Sequence, residues 1–228
     1  MGRLLTPGDE MAEADGFLNP LPNNMLYDYS GAGIEASLEG SCKRLGVERV
    51  DVVYVHDIGT MTHGAANAEH MRDLMETGLP RLRELKSSGR IGAYGLGVNE
   101  CEVCLDVLSS QPLDVILLAG RWTLLDRSAE AHLVPACRRS GTSFVLGGVF
   151  NSGILATGPN PGAHYEYGLA SQAILDRAAQ LQAEAEARGQ TLAEAALRFC
   201  LGQPEASSVL IGTGKVLSLA RNLDLLSV

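Results

Sequence analysis

The chain has 228 residues, 46% of them hydrophobic and only 5% aromatic, with a net charge of −9. This length suits one α/β domain with an aliphatic core, and an acidic balance with no basic block argues against nucleic acid and anionic membranes as partners. No apolar run approaches the roughly 20 residues of a membrane helix, no basic-then-apolar leader opens the chain, and five scattered cysteines fit a reduced, cytoplasmic protein better than a disulfide framework.

In chain order, residues 6–30 are rich in Pro, Asn and Gly and read as loop. Ile34, Leu38, Cys42 and Leu45 then share a helical face and lead into a first apolar run, VDVVYVHD (50–57). Met71, Leu74 and Met75, followed by Leu79, Leu82 and Leu85, predict helix up to Gly89, a suitable C-cap residue, before the run IGAYGLGVN (91–99). Cys101-Glu-Val-Cys104 has CxxC spacing. However, Cys101, Cys104, Leu105 and Leu108 fall on one helical face and no second CxxC completes a zinc site, so a helix is expected, followed by LDVILLAG (113–120). Leu133 and Cys137 mark a helix before TSFVLGGVF (142–150). The Gly/Pro-rich stretch GILATGPNPGAHYEYG (153–168) reads as a long exposed loop or lid. Helices near 170–188 and 191–201, the second opened by a capping box of Thr191 and Glu194, precede the run SSVLIGTG (207–214).

Near-continuous apolar runs, rather than alternating ones, are the mark of parallel strands buried on both faces. Separated by helices, they predict βα units with right-handed crossovers. No linker or low-complexity segment divides residues 1–228, so a single domain is expected. Each run ends in small or polar residues: His56-Asp57, Asn99-Glu100, Gly120-Arg121, Asn151-Ser152, Gly212-Thr213. In a βα barrel such strand tops line the active site, which makes His56 a candidate catalytic group. The Gly212-Thr213-Gly214 turn opens a predicted helix, and helix-terminal amides beside Lys215 suit a phosphate. A metal-dependent hydrolase using His56, Asp57, His63 and His70 is a competing reading, weakened because no H-x-H pair marks a first strand.

Three stretches in register resemble the aldo-keto reductase family. SLEGSCKRLGVERVDVVYVHD (37–57) carries its R-L-G and D-x-x-x-x-H pattern at Arg44, Leu45, Gly46, Asp51 and His56. SSGRIGAYGLGVNE (87–100) and VLIGTGKVLSLARNLDLL (209–226) resemble its next strand and its final strand with cofactor helix. LLAGRWTLLD (117–126) and GGVFNSGILATG (147–158) are similar to the branch of D-threo-aldose 1-dehydrogenase, L-fucose and L-galactose dehydrogenases and pyridoxal 4-dehydrogenase. The resemblance implies a (β/α)8 TIM barrel, here only its C-terminal five βα units. It also implies an NAD- or NADP-dependent oxidoreductase acting on a small sugar, alcohol or aldehyde.

Carried over by motif, His56 is the catalytic histidine. The implied cofactor-binding residues are Asn99, Phe150, Asn151, Ser152, Gly153, Gly212, Thr213, Gly214, Lys215 and Asn222, with no metal site. Asn99 would hold the nicotinamide carboxamide and Asn222 would read the adenine. Four departures stand out. Ala119 replaces the family's carboxamide-binding glutamine. Gly147-Gly148-Val149-Phe150 replaces its Y-S-P-L, leaving Phe150 or Trp122 to stack on the nicotinamide. Ser218 occupies the place of an arginine in NADP-preferring members, which favours NAD. Of the family's catalytic Asp, Tyr, Lys and His, only the histidine is present, and Gly2-Arg3-Leu4-Leu5 matches the segment that follows the lysine. The 228 residues are therefore expected to be nearly inactive by themselves, or to serve as a nicotinamide-binding or regulatory member of the family.

Overall fold

The computed structural model describes residues 1–8, 21–166 and 168–225. The chain forms two compact units, Met1–Val98 with Ser109–Ile116, and Asn99–Leu108 with Leu117–Val228.

In the first unit an antiparallel hairpin pairs β1 (Arg3–Pro7) with β2 (Asn23–Tyr27). Helix α1 (Gly31–Leu45) follows, capped by the Ser30 hydroxyl, which accepts from the Gly33 amide at 3.2 Å. Ile34, Leu38 and Cys42 are its buried stripe, as the periodicity predicts, but Leu45 at the end of the helix is 66% exposed. Strand β3 (Val50–His56) leads through α2 (Thr60–His63) to α3 (Asn67–Asp73) and α4 (Leu79–Ser87). A π turn, Leu74–Gly78, separates the last two helices. It widens the repeat to five residues, so Leu74 and Leu79 both point inward and are buried.

Strand β4 (Ile91–Val98) runs parallel to β3 from Val50↔Ile91 to His56↔Gly97. Its other side meets the start of β5 (Val115–Ala119), where the Asp114 amide donates to the Tyr94 carbonyl at 3.1 Å. A Cβ on Gly95 would lie 1.5 Å from the Val115 carbonyl oxygen, so only glycine permits this approach.

The second unit contains most of α5 (Cys101–Ser110), the end of β5, and then α6 (Leu133–Ser140) and β6 (Ser143–Gly147). Next come α7 (Ile154–Thr157), a short hairpin of β7 (His164–Tyr165) and β8 (Gly168–Leu169), α8 (Gln172–Glu186), α9 (Leu192–Leu201), β9 (Ala206–Val209) and α10 (Val216–Asp224). Five strands follow the order β3-β4-β5-β6-β9 in one sheet, and β6 and β9 are parallel. Burial on both faces holds for β4, whose last five residues are all buried, but not at the ends of that order. Val52 of β3 is 43% exposed and no residue of β9 is buried.

Several local expectations change. Of the expected loop at 6–30, residues 6–7 and 23–27 are strand and 9–20 lie outside the described residues, and 153–166 holds a helical turn and a hairpin strand rather than an irregular lid. The final strand stops at Val209, leaving 210–215 as loop. The Thr191 hydroxyl accepts from the Glu194 amide at 3.2 Å, but the Glu194 carboxylate turns to Arg198 at 2.9 Å, so only half of a capping box forms. In α5 the buried face is Cys101, Val103, Cys104 and Val107, with Leu105 and Leu108 half-buried. All five cysteines are free and buried. Burial pushes the Cys101 thiol up to about 11 and Cys104 well above its ordinary value, so both are unreactive thiols.

Gly95→Ala forces β4 and β5 apart. It is expected to cost about 3 kcal/mol, measured as a fall in the urea midpoint at unchanged slope.

Candidate functional site

The second unit has an open cavity of about 940 Å³ between the turn that follows β6 and the loop that opens α10. The turn begins at Gly148, with φ 61°, where a Cβ would stand 2.9 Å from the Gly120 amide. Asn151, Ser152 and Gly153 continue in the left-handed region, with φ of 44°, 56° and 97°. Two consecutive non-glycine residues there carry a cost of roughly 1 kcal/mol or more each. The Asn151 side chain offsets it. Its Nδ2 donates to the Gly120 carbonyl at 3.1 Å, and its Oδ1 accepts from the Thr123 hydroxyl at 2.6 Å.

Of the predicted cofactor residues, Phe150, Asn151, Ser152, Gly153, Gly212, Thr213, Lys215 and Asn222 line this cavity; Gly214 is not among the lining residues. Asn151 is 5% exposed and both ends of its amide are bonded within the protein, so it shapes the wall rather than presenting a ligand group. Phe150 is half-buried against an apolar cluster centred on Ile154, Leu155 and Leu181. Across the cavity the Thr213 hydroxyl accepts from the Lys215 amide at 3.2 Å, just before the first turn of α10. A helix N-terminus beside a lysine suits an anion by dipole and charge together. Arg221, which sequence reading passed over, adds a second cation. The available signal was spacing: Arg221 lies three residues after Ser218 and shares its face.

Two predicted residues are not part of this lining. Asn99 adjoins the wall, next to Ala119 and Gly120, against which Gly148 packs. Its side-chain Nδ2 donates to the Ala119 carbonyl at 3.4 Å, and its own carbonyl accepts from Arg121 Nε at 2.6 Å. Trp122 cannot serve as a stacking platform. It is 3% exposed, packed edge-on to Phe144 at 5.2 Å, with its indole N–H donating to Glu130.

His56 belongs to the first unit, at the top of β3. Its Nδ1 is 2.8 Å from Asp57 Oδ2, and Arg3 holds the same oxygen at 3.2 Å. A carboxylate at Nδ1 fixes the proton there, so Nε2 of the neutral ring accepts a hydrogen bond and donates only when the ring is protonated. Behind it Tyr29 is fully buried. Its hydroxyl donates to the His56 carbonyl at 3.0 Å and so accepts from His63 Nε2 at 2.8 Å. Burial raises the Tyr29 pKa strongly, which removes it as an acid–base group. His63 and His70 pack against Tyr29, their ring centroids 4.3 Å apart.

The model of the aldo/keto reductase family matches residues 20–228, and the chain belongs to that family. It is 37% identical to pyridoxal 4-dehydrogenase of Microbacterium luteolum over 97% of its own length and 66% of that protein's. It is 31% identical to D-threo-aldose 1-dehydrogenase of a Pseudomonas species, over 98% and 67%. These are members of the branch that the motifs at 117–126 and 147–158 resemble. Among solved structures, an aldo-keto reductase of Bacillus halodurans in its holo form superposes with a TM-score of 0.70 at 24% identity, covering 89% of this chain and 64% of that one. The βα architecture is thus that of the family's TIM barrel, and the chain spans about two thirds of the length of the curated relatives it matches. Among the described residues no helix is long and apolar enough to cross a membrane.

Burial alone would raise the Asp57 carboxyl, but the hydrogen bond and charge of His56, with Arg3 and His63, hold it below the ordinary 3.8. A depressed folded pKa contributes stability that is complete above the unfolded value and is lost as pH falls through the folded one. Asp57 has φ 59°, which asparagine tolerates, so Asp57→Asn removes the charge without new strain. Discounted for the half-exposed imidazole, wild type should exceed the variant by about 1 kcal/mol at neutral pH. Urea melts should show the gap closing as the pH drops below 3.8.

Proposed function

We propose that this chain carries the cofactor-binding part of a nicotinamide-dependent oxidoreductase acting on a sugar hemiacetal or a small alcohol or aldehyde. The observation that carries the reading is the cavity bounded by the Phe150–Gly153 turn, Gly212-Thr213 and Lys215, about 940 Å³ in volume. That is the size of a cofactor site, with a phosphate-suited helix start at one end and an aromatic ring at the other. The relatives' names, pyridoxal 4-dehydrogenase and D-threo-aldose 1-dehydrogenase, suggest the substrate class.

The nicotinamide, when bound, supplies the hydride chemistry, and the protein supplies orientation and a proton route. In this reading the Gly212–Lys215 loop and the first turn of α10 bind the pyrophosphate, and Asn222 reads the adenine. Phe150 faces the nicotinamide and Asn99 holds its carboxamide. His56, oriented by Asp57 within the first unit, is the candidate catalytic group. Ser218 favours NAD, while Lys215 and Arg221 leave the cavity able to take a 2′-phosphate. Five free, buried cysteines suit the reducing cytoplasm.

A second reading is a nicotinamide-binding member that does no chemistry. It is supported by Tyr29, whose hydroxyl is committed to His56 and His63 and is not available as a proton donor. A polypeptide of these 228 residues is expected to bind NADH by calorimetry. Lys215→Ala should weaken binding about fivefold to tenfold, the worth of one charge-assisted phosphate contact. Without a positioned tyrosine acid–base group, turnover of aldoses or pyridoxal should fall about 10²–10⁴-fold below that of full-length relatives. Absence of NADH binding would sink both readings; turnover equal to a full-length relative would sink only the slow-turnover expectation.

A further inference from the structure

Within the second unit one guanidinium joins groups far apart in sequence. Arg121 Nε donates to the Asn99 carbonyl at 2.6 Å, and Nη1 donates to Asp126 Oδ2 at 3.0 Å. Nη1 also pairs with Glu166, which sits at φ 49°. Asp126 is held in turn by the Tyr165 hydroxyl at 2.9 Å and the Ser128 amide at 3.0 Å. Burial alone would raise the Asp126 carboxyl, but these donors bring it below its ordinary value, so it is a fixed anion. The Arg121 and Asp126 side chains are only 18% and 13% exposed.

The contrast at Asn99 is informative. Its peptide is clamped by a short, charge-assisted bond, whereas its side-chain amide makes a long 3.4 Å bond to Ala119. The guanidinium charge is met by Asp126 and Glu166, and its Nε donor fixes the position of the Asn99 peptide. A weak bond at the amide can be exchanged for a bond to a ligand while the main chain stays still.

We propose that Arg121 is a positioning residue: it locks the Asn99 peptide so that the Asn99 side-chain amide is presented to the carboxamide of a nicotinamide ring. The proposal rests on the cofactor reading above. It is specific to one end of the ligand, because Lys215 and Asn222, at the opposite end, are no part of the Arg121 network.

The test compares NADH with ADP-ribose, which lacks the nicotinamide, by calorimetry on the full chain. Arg121→Met should weaken NADH about tenfold, as expected for losing a charge-assisted bond that holds a buried group, and leave ADP-ribose within about twofold. Arg121→Lys keeps a charge toward Asp126 but lacks the fork that also reaches Asn99, so its NADH affinity should fall between. Arg138→Met, which removes an exposed ion pair with Glu205, should change neither ligand. Circular-dichroism melts establish that each variant is folded; if Arg121→Met is not, Arg121→Lys decides, with a loss confined to NADH as the supporting result. Equal losses for both ligands, or no loss for either, overturn the proposal while the cofactor reading stands. Wild type that binds neither ligand overturns both.

Discussion

The buried amide of Asn151 is the contact on which the candidate site depends. Sequence after β6 places a run of left-handed backbone at the cavity wall, and such backbone does not persist unaided. Asn151 ties it to Gly120 and Thr123, in the segment that follows β5. Thr123 in turn caps Asp126, accepting from its amide at 2.9 Å. The shape of the cavity wall, the position of Phe150 and the anchoring of Asp126 are therefore one hydrogen-bonded construction. A change in any member leaves a buried donor or acceptor without its partner, which is more damaging than the loss of an average bond.

Much of the fold was legible because apolar runs and helical faces are strong signals. The runs at 50–57, 91–99, 113–120 and 142–150 became β3 to β6, and Ile34, Leu38, Leu82, Leu85, Leu133 and Cys137 are buried where their spacing put them. The misses have physical causes. Residues 23–27 pair in a hairpin whose Asn and Met side chains make no alternating pattern. The π turn inserts a five-residue step that helical periodicity does not contain. Strands β3 and β9 stand at the ends of the strand order, where neighbours on one side do not set burial, so apolar content overstated how buried they are.

The site was legible to the extent that it is made of backbone. Glycines at 148, 153 and 212 and a helix start at 216 mark the cavity wall through local sequence alone. Side-chain networks were not legible. Asn151 entered as a cofactor residue only through the motif it shares with the family, yet the fold commits both ends of its amide internally. Arg121 reaches Asn99 over 22 residues and Glu166 over 45, separations at which no periodicity operates.

The burial of Trp122 has an optical consequence. It is the only tryptophan of the chain, it is 3% exposed against Phe144, and it belongs to the second unit together with Arg121. Four tyrosines, Tyr27, Tyr29, Tyr54 and Tyr94, belong to the first. Indole emission therefore reports on one unit alone, blue-shifted while its surroundings are dry, whereas the near-ultraviolet tyrosine signal is dominated by the other. The two halves of the molecule carry separate chromophores, and loosening of one can be followed without a label while the other is still intact.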